Sequence, residues 1–124
     1  MAKKILIIDD EPNTVAALSI RLKETGHEII LASDGLDGLQ KARKESPDLI
    51  ILDVMLPKLD GYKVCRMLKF DKKYHRIPIV MYSARAQKKD VDAGMESGAD
   101  AYVIKPFQLE AMVEKIRKFL GETK

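Results

Sequence analysis

Four short apolar runs, each ending in a polar residue, constrain this chain more than any other feature. Ile5–Ile8 runs into Asp9-Asp10, Leu49–Leu52 into Asp53, Ile77–Tyr82 into Ser83, and Tyr102–Ile104 into Lys105. Runs this apolar, with little alternation, read as strands buried on both faces of a parallel sheet. Helical segments fill the gaps. The pattern predicts strands over 4–9, 28–32, 49–53, 77–82 and 101–105, and helices over 13–25, 36–45, 62–70, 87–97 and 108–120. Gly26, Ser46-Pro47 and Gly98 supply the stops. The last helix is the clearest, because Leu109, Met112, Val113, Ile116 and Leu120 make one stripe and Glu114 and Lys118 are spaced to pair outside it.

Strands alternating with helices imply right-handed crossovers and a sheet covered on both sides. The expected class is therefore α/β, a doubly wound five-stranded parallel sheet, and the flavodoxin-like order 2-1-3-4-5 would make strands 1 and 3 neighbours. In such sheets ligands bind beyond the carboxyl ends of the strands, at the switch point between strands 1 and 3. The polar ends of the four runs then meet on one edge.

The 124 residues suit one domain with a real core, and no linker or second domain is expected. The 22 basic residues are interspersed with 19 acidic ones, so the net charge of +3 argues little for nucleic acid. The densest basic group, Lys69, Lys72, Lys73 and Arg76, reads as a solvated helix end, and direct nucleic-acid binding is not expected. A single cysteine, Cys65, excludes an internal disulfide, suits a reducing cytoplasm and reads as a buried small hydrophobe. Only four apolar residues follow Met-Ala-Lys-Lys, so neither a signal peptide nor a membrane contact is expected. His27 and His75 read as surface residues in turns.

Each polar end has two readings. Asp9 or Asp10 can cap the first helix, which Glu11-Pro12 opens. One acid is enough for a cap, however, and adjacent carboxylates repel unless a cation neutralises them. Asp53 ends the most apolar strand, where a desolvated carboxylate needs compensation. An all-carboxylate set with room for water suits Mg²⁺ better than zinc. Lys105 can place an ammonium against an anion. Ser83 can cap the fourth helix or donate to a phosphoryl oxygen.

Together these residues resemble the receiver domain of bacterial two-component response regulators. The resemblance covers essentially the whole chain. It rests on Asp9-Asp10, on Leu52-Asp53-Val54-Met55-Leu56-Pro57 with Asp60-Gly61, on Ser83-Ala84, on Gly98-Ala99-Asp100-Ala101-Tyr102, and on Lys105-Pro106-Phe107. It implies one receiver (phosphoacceptor) domain over residues 1–124, with Asp53 taking a phosphoryl group from a histidine kinase or phosphotransfer protein. Asp10, Asp53 and the Met55 backbone carbonyl would ligate Mg²⁺, with Asp9 acting largely through water. Lys105 would pair with the phosphoryl group, Ser83 would bond to it, and Tyr102 would swing inward as Ser83 moves. The Lys105-Pro106 bond is expected to be cis. The surface of helix 4, strand 5 and helix 5 would then present itself to a downstream protein target. On this reading the chain is a cytoplasmic switch rather than an enzyme, catalysing only its own phosphorylation and slow self-dephosphorylation.

Four positions bear on departures from the family pattern. Ser83 stands where threonine is common. Met55 and Arg85 would flank the acyl phosphate, with the apolar Met55 expected to hinder an attacking water. Ala101 replaces an acidic residue of the winged-helix transcription-factor branch, which puts that mode of dimerisation in doubt. Separately, helical geometry turns Ile20 about 140° away from the core-facing Val15. It would sit with Asn13 and Ala17 as an exposed patch suited to docking a kinase helix. Two rivals remain: a phosphatase with Asp53 as nucleophile, and a flavin carrier. Met55 stands where aspartate-nucleophile phosphatases have a second aspartate, and the acidic Gly-free loop after strand 1 would repel a flavin phosphate.

Overall fold

Strands and helices alternate along the computed structural model, which describes residues 2–122. The elements are β1 (Lys4–Ile8), α1 (Pro12–Glu24), β2 (Glu28–Ala32), α2 (Gly35–Glu45), β3 (Leu49–Asp53), α3 (Gly61–Lys69), β4 (Ile79–Ser83), α4 (Lys88–Glu96), β5 (Ala101–Ile104) and α5 (Leu109–Phe119). The expected domain span of 1–124 includes Met1, Thr123 and Lys124, which lie outside the described residues. All strand pairs are parallel, and the five strands follow the order β2-β1-β3-β4-β5. That is the predicted topology, with β1 against β3.

Successive residues of a strand point to opposite faces, so two interleaved apolar sets make two cores. Leu6, Ile8, Ile50, Leu52, Ile79 and Met81 pack on the α2–α3 side with Leu39, Val64 and Leu68. Ile5, Ile7, Leu49, Ile51, Val80 and Tyr82 pack on the α1–α5 side with Leu18, Leu22, Met112 and Ile116. Both parities are apolar because both faces are covered. Each fully buried aliphatic side chain contributes roughly 1.5–3 kcal/mol. The same parity places Asp9 and Asp53, one step beyond Ile7 and Ile51, on the α1–α5 side of the sheet edge.

Local signals set the boundaries. Gly26 and Gly98 take positive φ of 88° and 103°, which costs glycine nothing. Ser46 ends α2 in the left-handed region, just before Pro47. β4 runs over Ile79–Ser83 rather than the expected 77–82, because Pro78 has no N–H for the ladder and serves only as an acceptor for Ile50 N–H at 2.9 Å. The Lys105-Pro106 bond is cis, as expected. Among the described residues no helix is long and apolar enough to cross a membrane.

Several surface expectations are corrected by contacts distant in sequence. His27 is buried, not at the surface. Its Nε2 lies 2.8 Å from Glu122 Oε1, and its Nδ1 lies 2.6 Å from Thr25 Oγ1 and 3.1 Å from the Leu22 carbonyl. Lys69 is not a solvated helix end. Its Nζ meets Asp100 at 2.8 Å and donates to the carbonyls of His75 and Ile77 at 3.0 and 2.9 Å. Glu114 finds Arg117 at 3.7 Å, three residues on, instead of Lys118. Cys65 is buried as expected, beside Val64 and Leu68 in the same core.

Candidate functional site

The capping readings of the site residues fail, and that frees them for chemistry. Glu11, not Asp9 or Asp10, caps α1, accepting from Asn13 N–H at 3.2 Å and Thr14 N–H at 2.6 Å. Those bonds hold the Glu11 carboxyl below its usual range. At α4 the backbone N–H of Gln87 donates to Asp90 at 3.2 Å, so Ser83 is not the cap there. Ser83 is fully buried at the end of β4, and its Oγ accepts from Arg85 N–H at 3.2 Å.

Asp9, Asp10 and Asp53 each offer a carboxylate oxygen within 4.8 Å of the others. Asp9 and Asp53 are 3% and 7% exposed, whereas Asp10 is open to solvent. Asp9 continues the β1 ladder through its N–H to the Ala32 carbonyl at 3.0 Å. Its Oδ1 accepts from Glu11 N–H at 3.0 Å. Asp53 Oδ1 accepts from Met55 N–H at 3.2 Å. Burial pushes the Asp53 carboxyl above its usual range, and the charge of Asp9 pushes the same way. The Met55 N–H and Lys105 oppose them.

Lys105 reaches the cluster from β5. Its backbone N–H bonds to the Ser83 carbonyl at 2.8 Å, extending the ladder by one residue. Its Nζ stands 3.3 Å from Asp9 Oδ2 and 3.2 Å from Asp53 Oδ2. The cluster thus sets three carboxylates against one ammonium, which contacts Asp9 and Asp53, and this excess of negative charge favours a hard cation with oxygen ligands. The donor set fits a divalent cation.

Sequence reasoning missed Tyr82. This buried phenol donates to Asp9 Oδ2 at 2.5 Å, and its ring lies 4.3 Å beneath Lys105 Nζ. Burial, reinforced by that hydrogen bond, pushes the phenol well above its ordinary range. Strand parity was the signal that could have found it. Tyr82 follows Val80 onto the same face of the sheet and is paired in register with Asp53.

The other expected residues surround this centre. Met55, 54% exposed, lines a cavity of about 610 Å³ with Asp10, Pro57, Tyr62 and Arg85. Tyr102 is half-buried against Gly94, and its hydroxyl donates to the Arg85 carbonyl at 2.8 Å. Asn13 and Ala17 line a separate groove of about 470 Å³ with Ala84, Pro106 and Phe107. Ile20 is 61% exposed on the same helix but does not line that groove.

The response regulator receiver domain model matches residues 5–117. This chain belongs to that family. The receiver is 45% identical over 120 residues to the alkaline phosphatase synthesis transcriptional regulatory protein PhoP of Bacillus subtilis, covering 97% of this chain and 49% of PhoP. It is 43% identical to the DNA-binding dual master transcriptional regulator RpaA of Synechocystis, covering 97% of this chain and 50% of RpaA. The receiver thus spans about half the length of these curated relatives. A crystal structure of a putative response regulator from Chloroflexus aurantiacus matches with a TM-score of 0.92 at 32% identity, covering 98% of this chain and 99% of that one. The receiver is accordingly a module of two-component signal transduction. The expectation that no nucleic acid is bound gains no support from relatives named as transcriptional regulators, and it is not carried forward.

Proposed function

We propose that Asp53 of this receiver accepts a phosphoryl group from the phosphohistidine of a histidine kinase or phosphotransfer protein. The meeting of Asp53, Asp9 and Lys105 at the carboxyl ends of three strands supports this reading. An Asp53 oxygen attacks phosphorus as the phosphorus–nitrogen bond breaks. The leaving imidazole keeps the electron pair and is then protonated from solvent. Such a transfer asks a protein mainly for alignment and for neutralisation of charge on the equatorial oxygens. Lys105 supplies one positive charge beside the acceptor oxygen. Asp10, Asp53 and the Met55 carbonyl would hold Mg²⁺, with Asp9 assisting through water. Bound there, the cation would supply the remaining neutralisation.

The Ser83 hydroxyl would turn from Arg85 N–H to the new phosphoryl group. Lys105, tied to Ser83 through the backbone, would follow the same charge. The Tyr102 hydroxyl, held by the Arg85 carbonyl, would be released inward as that loop shifts. The populations of the loops around α4 would change with it, presenting the α4–β5–α5 surface to a downstream protein. Asn13, Ala17 and Ile20 on α1 would receive the phosphodonor. The receiver would act in the cytoplasm and turn over only by its own slow dephosphorylation.

Intact mass after incubation with acetyl phosphate and Mg²⁺ tests the reading. One phosphoryl increment is expected on the parent, none on Asp53→Asn, and none after chelation. An increment surviving in Asp53→Asn would refute the assignment.

A further inference from the structure

Tyr82 touches both Asp9 and Lys105 yet takes no part in the transfer described above. It pairs in register with Asp53 and is entirely buried. Any β-branched or aliphatic residue would suit this place in a central strand. A tyrosine buried here must find a partner for its hydroxyl, and it finds Asp9 Oδ2 at 2.5 Å. Phe107 packs against the ring with centroids 5.8 Å apart. Lys105 Nζ lies over the same ring at 4.3 Å, within cation–π range.

We propose that the Tyr82 hydroxyl is a positioning residue for the cation site, holding Asp9 in place and keeping it from capturing Lys105. The inference rests on the Mg²⁺-dependent reading of the site. Asp9 Oδ2 accepts from two donors, the Tyr82 hydroxyl and the Lys105 ammonium, while Oδ1 accepts from Glu11 N–H. Lys105 stands nearly midway between Asp9 and Asp53, at 3.3 and 3.2 Å. In a poorly solvated site an unshared carboxylate–ammonium pair tightens. Without the hydroxyl, Asp9 would draw Lys105 toward itself. One carboxylate needed for the cation and one ammonium needed for the phosphoryl group would then neutralise each other. Partners that orient a ligating group commonly set metal affinity by about 10–100-fold.

Tyr82→Phe removes the hydroxyl and keeps the ring beneath Lys105, so the fold and the cation–π contact persist. Calorimetric titration with Mg²⁺, without a phosphodonor, compares the parent, Tyr82→Phe, Asp9→Asn and the double variant. Tyr82→Phe is expected to bind Mg²⁺ about tenfold more weakly. The substitution should add little in the Asp9→Asn background, because Tyr82 works through Asp9. With acetyl phosphate, half-saturating Mg²⁺ should rise by more than the saturating rate falls. Parent-like affinity in Tyr82→Phe, or fully additive losses in the double variant, would overturn the proposal. A parent that binds no Mg²⁺ would instead overturn the reading of the site beneath it.

Discussion

Lys105 Nζ lies 3.2 Å from Asp53 Oδ2, although their strands are separated by β4. The contact places a fixed positive charge beside the proposed acceptor oxygen before any phosphodonor arrives. Lys105→Gln keeps the length of the side chain and removes the charge. Phosphorylation by acetyl phosphate, followed by intact mass against time, should slow by at least about tenfold. A parent-like rate would show that Lys105 acts only in the structure.

Met55 projects into solvent at the mouth of the cavity that Arg85 also lines. An apolar group there would shield an acyl phosphate on Asp53 from water, whereas an amide would orient water. Met55→Asn should lose phosphate about tenfold faster, a barrier change of about 1.4 kcal/mol. Decay of the phosphorylated mass after removal of the donor measures it. Decay no faster than in the parent would refute the shielding role.

Ile20 is exposed on α1, beyond the groove formed by Asn13 and Ala17. Burying it under a kinase helix would contribute roughly 1.5–3 kcal/mol to docking. Ile20→Asp should therefore slow transfer from a cognate kinase by at least about tenfold. Acetyl phosphate needs no docking, so its rate separates lost docking from a damaged site. Undiminished transfer from the kinase would remove Ile20 from the docking surface.

Gly61 opens α3 where the chain passes over the end of β3. A β-carbon there would lie 2.2 Å from the Asp53 carbonyl oxygen and 2.8 Å from Val54 Cα, both backbone atoms. Gly61→Ala should cost about 1–3 kcal/mol in urea unfolding. It should also slow phosphorylation, because relief of the clash moves the acceptor strand. Parent-like stability would mean that the α3 entry yields more readily than its packing suggests.

Cys65 is buried, and burial pushes its thiol above the ordinary range. Between about pH 8.5, where an unfolded thiol ionises, and its higher folded value, the folded chain binds more protons than the unfolded one. Stability from this residue therefore falls as pH rises through that window. Urea midpoints at about pH 8 and about pH 9.5 should differ less in Cys65→Ala than in the parent. Equal differences would show that the thiol ionises as freely folded as unfolded.

The main charged residues of the site are legible because strand ends announce themselves. Asp53 and Lys105 each interrupt an aliphatic run, and parallel topology then brings them to one edge. Tyr82 interrupts nothing, since tyrosine is an ordinary strand residue, and only its parity marks it. Glu11 is the less obvious cap, because aspartate is the commoner capping acid. His27 and Lys69 looked solvated because their partners Glu122 and Asp100 lie far along the chain.

Periodicity and chain order alone determined the α/β class and the residues that end the strands. These follow from local rules, in which apolar runs form strands and short crossovers have one hand. Only the tertiary structure decided which partner the buried polar groups take: Tyr82 finds Asp9 and His27 finds Glu122. Desolvation is the reason. A buried polar atom must take whatever partner packing brings within reach, and packing is set by the whole chain at once.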